Sequence, residues 1–162
     1  VIMPKDSMIE GINDSKKISE KKREKLYDII TSEAIAWSVA IIDQKEIDSL
    51  NILNATKRGL TTALKELAEK PDIVLVDALT GIDTLGIPYK SIIKGDAKSY
   101  SIAAASIIAK VTRDRIMRQW DEIYPEKKKK KNKGYGTSSH ITVIKEKGIA
   151  PIHRKSFVKN FT

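Results

Sequence analysis

Two neighbouring stretches decide the fold: DIVLVD at residues 72–77, and SIIKGDAKSYSIAAASIIAKV at residues 91–111. The first is short, apolar and closed by an aspartate, the pattern of a buried strand. Gly81, Gly86 and Pro88 punctuate a connection too brief for a full helix, after which Ser91 to Lys94 (SIIK) resumes a strand pattern. Tyr100 to Trp120 is the longest helix candidate. Its first half is apolar nearly all round and is expected to be buried, whereas Arg113, Asp114, Arg115 and Arg118 mark emergence into water. On that reading Asp114 is a surface or interhelical ion-pair partner.

Working outward, Ser19 can cap a helix whose apolar positions Leu26, Ile29 and Ile30 recur at helical spacing, with Glu20 suiting its positive end. Ala34 to Ile42 (AIAWSVAII) is short and rich in apolar and β-branched residues, which predicts a strand. Ile47, Leu50, Leu53, Leu60, Leu64 and Leu67 supply the stripe of a second helix that Pro71 stops. Downstream, Gly134 to Thr137 reads as a loop and Ile141 to Lys147 as a short helix, with Gly148 as its stop and Pro151 beyond. Strands alternating with helices predict an α/β architecture with some parallel strands. No repeat or linker interrupts residues 1–162, so a single domain is expected.

The 162 residues, 41% hydrophobic and 31% charged, suffice for one core. No apolar run approaches the roughly 18 residues of a membrane span, and the N-terminus lacks a signal-peptide pattern; a soluble, cytoplasmic protein is expected. The absence of cysteine excludes disulfides, thiolate catalysis and Cys-ligated zinc, which leaves oxygen ligands or the two histidines for any metal. The net charge of +9 favours a polyanionic partner such as nucleic acid. Five of those charges form the run Lys127 to Lys131, leaving +4 elsewhere. No Walker loop, dinucleotide-binding glycine motif or Gly-x-Ser-x-Gly elbow is present.

Two carboxylates stand out by position. Asp77 ends DIVLVD, and Asp96 follows SIIK in the turn Lys94-Gly95-Asp96. Ligands of open α/β sheets gather beyond the carboxyl ends of strands, so the two can converge on one cation, for which oxygen donors favour Mg²⁺ or Mn²⁺. Equally, each can simply cap the next helix or turn. Tyr135, between Gly134 and Gly136 and beside Lys133, can stack on a base or sugar, or pack as a turn tyrosine. Asp14-Ser15-Lys16-Lys17 offers groups that clamp a phosphate backbone, or forms a loop leading into a helix. His140 reads as lying at the start of a helix and His153 as a surface residue, neither with the spaced partner of a zinc site.

Taken in order, NDSKKISEKKREKLYDII (13–30), EIDSLNILNAT (46–56), LVDA (75–78), IIKGDAKSYSIAAASIIAKVTRDRIM (92–117), KGYGTSSH (133–140) and PIHRKSF (151–157) resemble the type 2 ribonuclease H family, bacterial ribonuclease HII in particular. The resemblance implies a ribonuclease H-like three-layer fold, a mixed sheet flanked by helices. It implies an endonuclease that hydrolyses the RNA strand of RNA·DNA hybrids and nicks 5′ of single ribonucleotides in duplex DNA. The expected chemistry is two-metal phosphodiester hydrolysis, carried out by a cytoplasmic monomer with Mg²⁺ or Mn²⁺. Asp77 matches the family's third acidic ligand and Asp96 its fourth. Tyr135 matches a tyrosine that packs on the sugar after the ribonucleotide and senses an RNA-to-DNA junction. Lys16, Lys17, Lys98 and Arg154 match basic positions assigned to phosphate contacts.

Two departures from the pattern carry further expectations. The family opens with a central strand ending in Asp-Glu-Ala-Gly-Arg-Gly, which bears two more ligands and a clamp for the 2′-hydroxyl; Val1-Ile2-Met3-Pro4 resembles the end of the strand after it. These residues alone are therefore expected to form an incomplete active site and a compromised sheet, which leaves a catalytically inactive nucleic-acid-binding fragment as the alternative reading. Secondly, Glu126 to Lys131 stands where the family usually has an aromatic-glycine-aromatic segment. The lysines are expected to be solvated and to add salt-dependent phosphate affinity near Tyr135.

Overall fold

A computed structural model describes residues 1–12, 17–123, 137–150 and 153–159. They divide into two compact units: Val1–Ile41 with Thr56–Val111, and Ile42–Ala55 with Thr112–Thr162.

In the first unit, helix α1 (Glu20–Glu33) begins where Ser19 accepts a hydrogen bond from the Lys22 amide, as its sequence implies. It buries Leu26 and Ile30 against Met3, Ile18 and the apolar half of a later helix, α5 (Tyr100–Ile123). Ala104, Ile107, Ile108 and Val111 of α5 are all within 2% of full burial, so the all-round apolar run is core, as expected. Tyr100 anchors this helix start to the N-terminal segment: its hydroxyl accepts from the Ile9 amide and shares a hydrogen bond with Ser7, both at 2.9 Å.

Strands β1 (Val74–Asp77) and β2 (Tyr89–Ile92) pair in parallel, with Val74 opposite Tyr89 and Asp77 opposite Ile92. Residues 78–88 join them without a helix, turning through Gly81 and Gly86, both at positive φ. The second strand lies two residues earlier than SIIK predicts. Lys94 adopts a left-handed conformation (φ 56°, ψ 46°), which ends the extended run and starts the four-residue helix α4 (Gly95–Lys98).

Two other expectations are corrected. Ala34 to Ile42 is not a strand: among the described residues it makes one antiparallel bridge, Ala36 with Ile2, and Ile35, Trp37 and Ile41 are 41–66% exposed. β propensity reflects packing on a paired, half-buried surface, and here one residue is paired. The single helix expected from Ile47 to Leu67 is two, α2 (Gln44–Leu50) and α3 (Ile52–Lys65). Asn51 breaks the run with φ +66°, and its side chain then accepts from the Asn54 amide at 3.0 Å, so one asparagine both stops one helix and caps the next.

In the second unit, helix α6 (Ser138–Lys147) starts at a Thr137 cap and ends at Gly148, φ +69°. The one-turn helix α7 (Lys155–Val158) follows. Asp114 is 2% exposed and His140 and His153 are 3% and 7% exposed, so the surface position expected for His153 is corrected to a buried one, and of the two readings of Asp114 the surface one is excluded. No described helix is long and apolar enough to cross a membrane.

Candidate active site

Asp77 leaves the end of β1 exposed, immediately after the buried Val76. Alternation along the strand turns Val76 inward and Asp77 outward. The Asp77 Oδ1 accepts a hydrogen bond from the Gly95 amide at 2.8 Å. That bond brings the strand end against the first residue of α4, and Asp96 is the next residue in the chain. Helix α4 packs on both β1 and β2.

Gly95 is required by space. A Cβ there would lie 2.6 Å from Ile102 Cδ1 and 3.3 Å from the Asp77 Cα, so a side chain enters only if Ile102 turns aside and the strand end shifts by a few tenths of an ångström. The parallel pairing puts the carboxyl ends of β1 and β2 side by side, and Lys94-Gly95-Asp96 folds back over them. The two aspartates singled out from the sequence are thus brought to the same end of the same small sheet.

Asp77 and Asp96 are hard oxygen donors, suited to Mg²⁺ or Mn²⁺ rather than to softer ions. Among the described residues no third histidine, aspartate or glutamate joins them in a metal-binding group. Both carboxylates are of the donor type such an ion takes, and the family resemblance assigns to this stretch two of the ligands, not the whole set.

Of the basic candidates, Lys98 is exposed at the end of α4, and Lys17 is exposed ahead of α1. Arg154 belongs to the second unit, where its guanidinium carbon sits 4.7 Å from the centroid of the Phe157 ring. Tyr135, Lys16, Asp14 and the Lys127 to Lys131 run lie outside the described residues.

The second unit holds groups that sequence reasoning missed. His140 and His153 meet Nε2 to Nε2 at 3.1 Å, their rings tilted by 42°. The Ala150 amide donates to His153 Nδ1 at 2.8 Å, and the same nitrogen lies 3.1 Å from the Ala150 carbonyl oxygen, so both ring nitrogens of His153 are engaged. Asp48 of α2 receives the Lys155 amide at 2.7 Å, the Ser156 amide at 3.1 Å and the Ser156 hydroxyl. These bonds, the Ser156 hydroxyl first among them, hold its carboxyl below the usual aspartate value. The segments EIDSLNILNAT, KGYGTSSH and PIHRKSF carry Asp48, His140 and the residues from His153 to Ser156, but nothing local in any of them marks these as partners.

The fold is that of an α/β protein of the ribonuclease H-like class. Among solved structures, ribonuclease H2 from Pyrococcus horikoshii OT3 superposes with a TM-score of 0.75 at 26% identity, covering 93% of this chain and 80% of that one. A ribonuclease HII from Archaeoglobus fulgidus, solved as its complex with PCNA, gives 0.70 at the same identity and coverage.

The sequence profile described as Ribonuclease HII matches residues 4–160, and the chain belongs to that family. Curated relatives named Ribonuclease HII include those of Acetivibrio thermocellus, 56% identical over 99% of this chain, and Clostridioides difficile, 53% identical over 99%. The chain spans 62% of the length of each of these two relatives.

Proposed function

We propose that the protein is a divalent-metal-dependent endonuclease that hydrolyses the RNA strand of RNA·DNA hybrids and nicks 5′ of single ribonucleotides embedded in duplex DNA, acting in the cytoplasm. The observation that carries this reading is the Asp77–Gly95 hydrogen bond, which fixes one carboxylate at the strand end and seats the second, on Asp96, one residue beyond the donor. Mg²⁺ or Mn²⁺ bound there would activate water and stabilise the departing 3′ oxygen. Asp77 and Asp96 would hold the ion. The Gly95 amide keeps the Asp77 carboxylate oriented toward it, and α4 keeps the exposed Lys98 on the same turn to meet a substrate phosphate.

In the same reading, Lys16, Lys17 and Arg154 contact phosphate, and Tyr135 stacks on the sugar beyond the ribonucleotide. Family membership supports these roles, and the net charge of +9 supports a polyanionic substrate.

The test uses the intact gene product and a DNA duplex with one embedded ribonucleotide, in Mg²⁺ and in Mn²⁺. Asp77→Asn and Asp96→Asn are each expected to lower the cleavage rate by on the order of 10³-fold, several kcal/mol of transition-state stabilisation, while duplex binding persists. Cleavage that survives both substitutions would refute the ligand roles.

A further inference from the structure

Position 154 presents a conflict between local structure and residue choice. Helix α7 begins there, and the first amides of a helix need an acceptor that Ser, Thr, Asp or Asn at the cap normally supplies. Arginine occupies the cap and makes no side-chain hydrogen bond to the helix. The missing acceptor comes instead from Asp48, 107 residues before Lys155, whose two carboxylate oxygens take the amides of Lys155 and Ser156 and the Ser156 hydroxyl. Position 154 is thereby released from capping and can carry a guanidinium.

The segment is held on both sides of that guanidinium. On the preceding residue, His153 is buried, bonded to the Ala150 amide and to His140. On the following two, Asp48 fixes the backbone. Arg154 itself is half-buried and stacks over Phe157, which remains 52% exposed. A guanidinium stacked on an aromatic ring keeps its in-plane donors available, and a pre-set geometry loses less entropy when it meets a phosphate. Arg154 is also one of the charges that favour the ionised form of Asp48, so the cap and the guanidinium support each other electrostatically.

We propose that Asp48 is a positioning residue for nucleic-acid binding: by capping α7 from a distant helix it holds Arg154 in the pose that meets a substrate backbone phosphate. This rests on the reading of Arg154 as a phosphate contact, and the experiment separates the two. Binding of the intact protein to a duplex with one embedded ribonucleotide is measured in Ca²⁺ from about 50 to about 200 mM salt, and steady-state cleavage in Mg²⁺.

Arg154→Ala is expected to weaken binding roughly tenfold, as for loss of one charge-assisted hydrogen bond, and to reduce the log–log salt slope by about 1. Asp48→Ala, which removes no positive charge, is expected to reproduce both effects and to raise KM by a larger factor than it lowers kcat. The double variant is expected to match Arg154→Ala alone. An Asp48→Ala protein with a lowered Tm but the wild-type slope would overturn the positioning role and leave the Arg154 contact standing. An unchanged slope in Arg154→Ala would overturn the contact and the proposal together. Should Asp48→Ala fail to fold, Asp48→Asn keeps one carbonyl oxygen for Ser156 but turns an NH₂ toward the Lys155 amide. It is expected to lose part of the slope, and an unchanged slope in it would again overturn the proposal.

Discussion

The Gly95 amide donates to Asp77 Oδ1 at 2.8 Å, joining the first residue of α4 to the last residue of β1 across 18 positions of sequence. The bond depends on close approach, and the approach depends on glycine, because a Cβ at residue 95 would meet both Ile102 Cδ1 and the Asp77 backbone. Alanine favours a helix over glycine by up to about 1 kcal/mol, whereas overpacking costs about 1 to 3 kcal/mol. The methyl of Ile102 can swing aside, but the Asp77 Cα at 3.3 Å can move only with the strand. Gly95→Ala is therefore expected to be mildly destabilising and disproportionately inactive. Misplacing a site group by about 1 Å can cost on the order of 10²-fold in rate, so a loss of roughly tenfold or more is expected with a Tm reduced by only a few degrees. Melting curves and single-turnover rates on the same preparation check it; full activity at wild-type Tm would show that the contact is dispensable.

A second expectation concerns the lysine run Lys127 to Lys131, which holds more than half of the net charge of +9. Each phosphate that a lysine engages contributes about 0.9 to the salt slope of duplex binding. Replacing all five with serine is expected to flatten that slope by more than one such unit, and to weaken matched and mismatched duplexes alike, since phosphate contacts carry no sequence information. Titrations at several salt concentrations measure it directly, and an unchanged slope would mean that the run stays in solvent when the duplex binds.

What could be read ahead of the structure was local. Ser19 and Gly148 announce helix ends because a cap is a property of four or five adjacent residues, and the apolar first half of α5 announces burial because nothing polar interrupts it. Asp77 was legible for the same reason, as the polar end of an apolar run. The Asn51 break was missed because an apolar stripe continues in register across it, while the left-handed conformation of one asparagine is invisible to periodicity. The surface reading of Asp114 fails because its flanking arginines imply solvent, although only Arg113 of the two is exposed and the aspartate is buried. Asp48 and the histidine pair were beyond reach for a different reason: their partners lie 107 and 13 residues away, in contacts that only tertiary packing creates.

The histidine pair leads to a third prediction. The two buried rings meet at their Nε2 atoms, and His153 is held at Nδ1 by the Ala150 backbone. Truncating His140 leaves the buried His153 Nε2 without this partner and opens space around it. Leaving such a group unsatisfied costs about 1 to 3 kcal/mol, so His140→Ala is expected to lower Tm by several degrees. His153→Ala is expected to cost at least as much, since it removes the acceptor for Ala150 as well. Because the two share one interaction, their effects are expected to be less than additive in the double variant, which a thermal-melt double-mutant cycle measures. Strict additivity would mean that the 3.1 Å contact carries no energy of its own.

Asp48 gives the fourth prediction, in which pH is the variable. Its carboxyl is held below the ordinary value of 3.8, chiefly by the Ser156 hydroxyl and then by the backbone amides of Ser156 and Lys155 and the charge of Arg154, against an opposing desolvation effect. A carboxyl depressed in the folded state stabilises that state wherever the unfolded chain is ionised, and the benefit disappears as pH falls through the folded-state value. The contribution of Asp48 is therefore expected to be constant from neutrality down to about pH 4 and to vanish only below 3.8. Asp48→Asn does not titrate, so the Tm difference between it and the wild type isolates this carboxyl. The difference is expected to stay level through the mildly acidic range and to close at the acidic extreme. The group is exposed, and added salt is expected to narrow the gap without shifting the direction of its pH dependence. A gap that already closes between pH 6 and pH 5 would show that the Asp48 carboxyl does not set it.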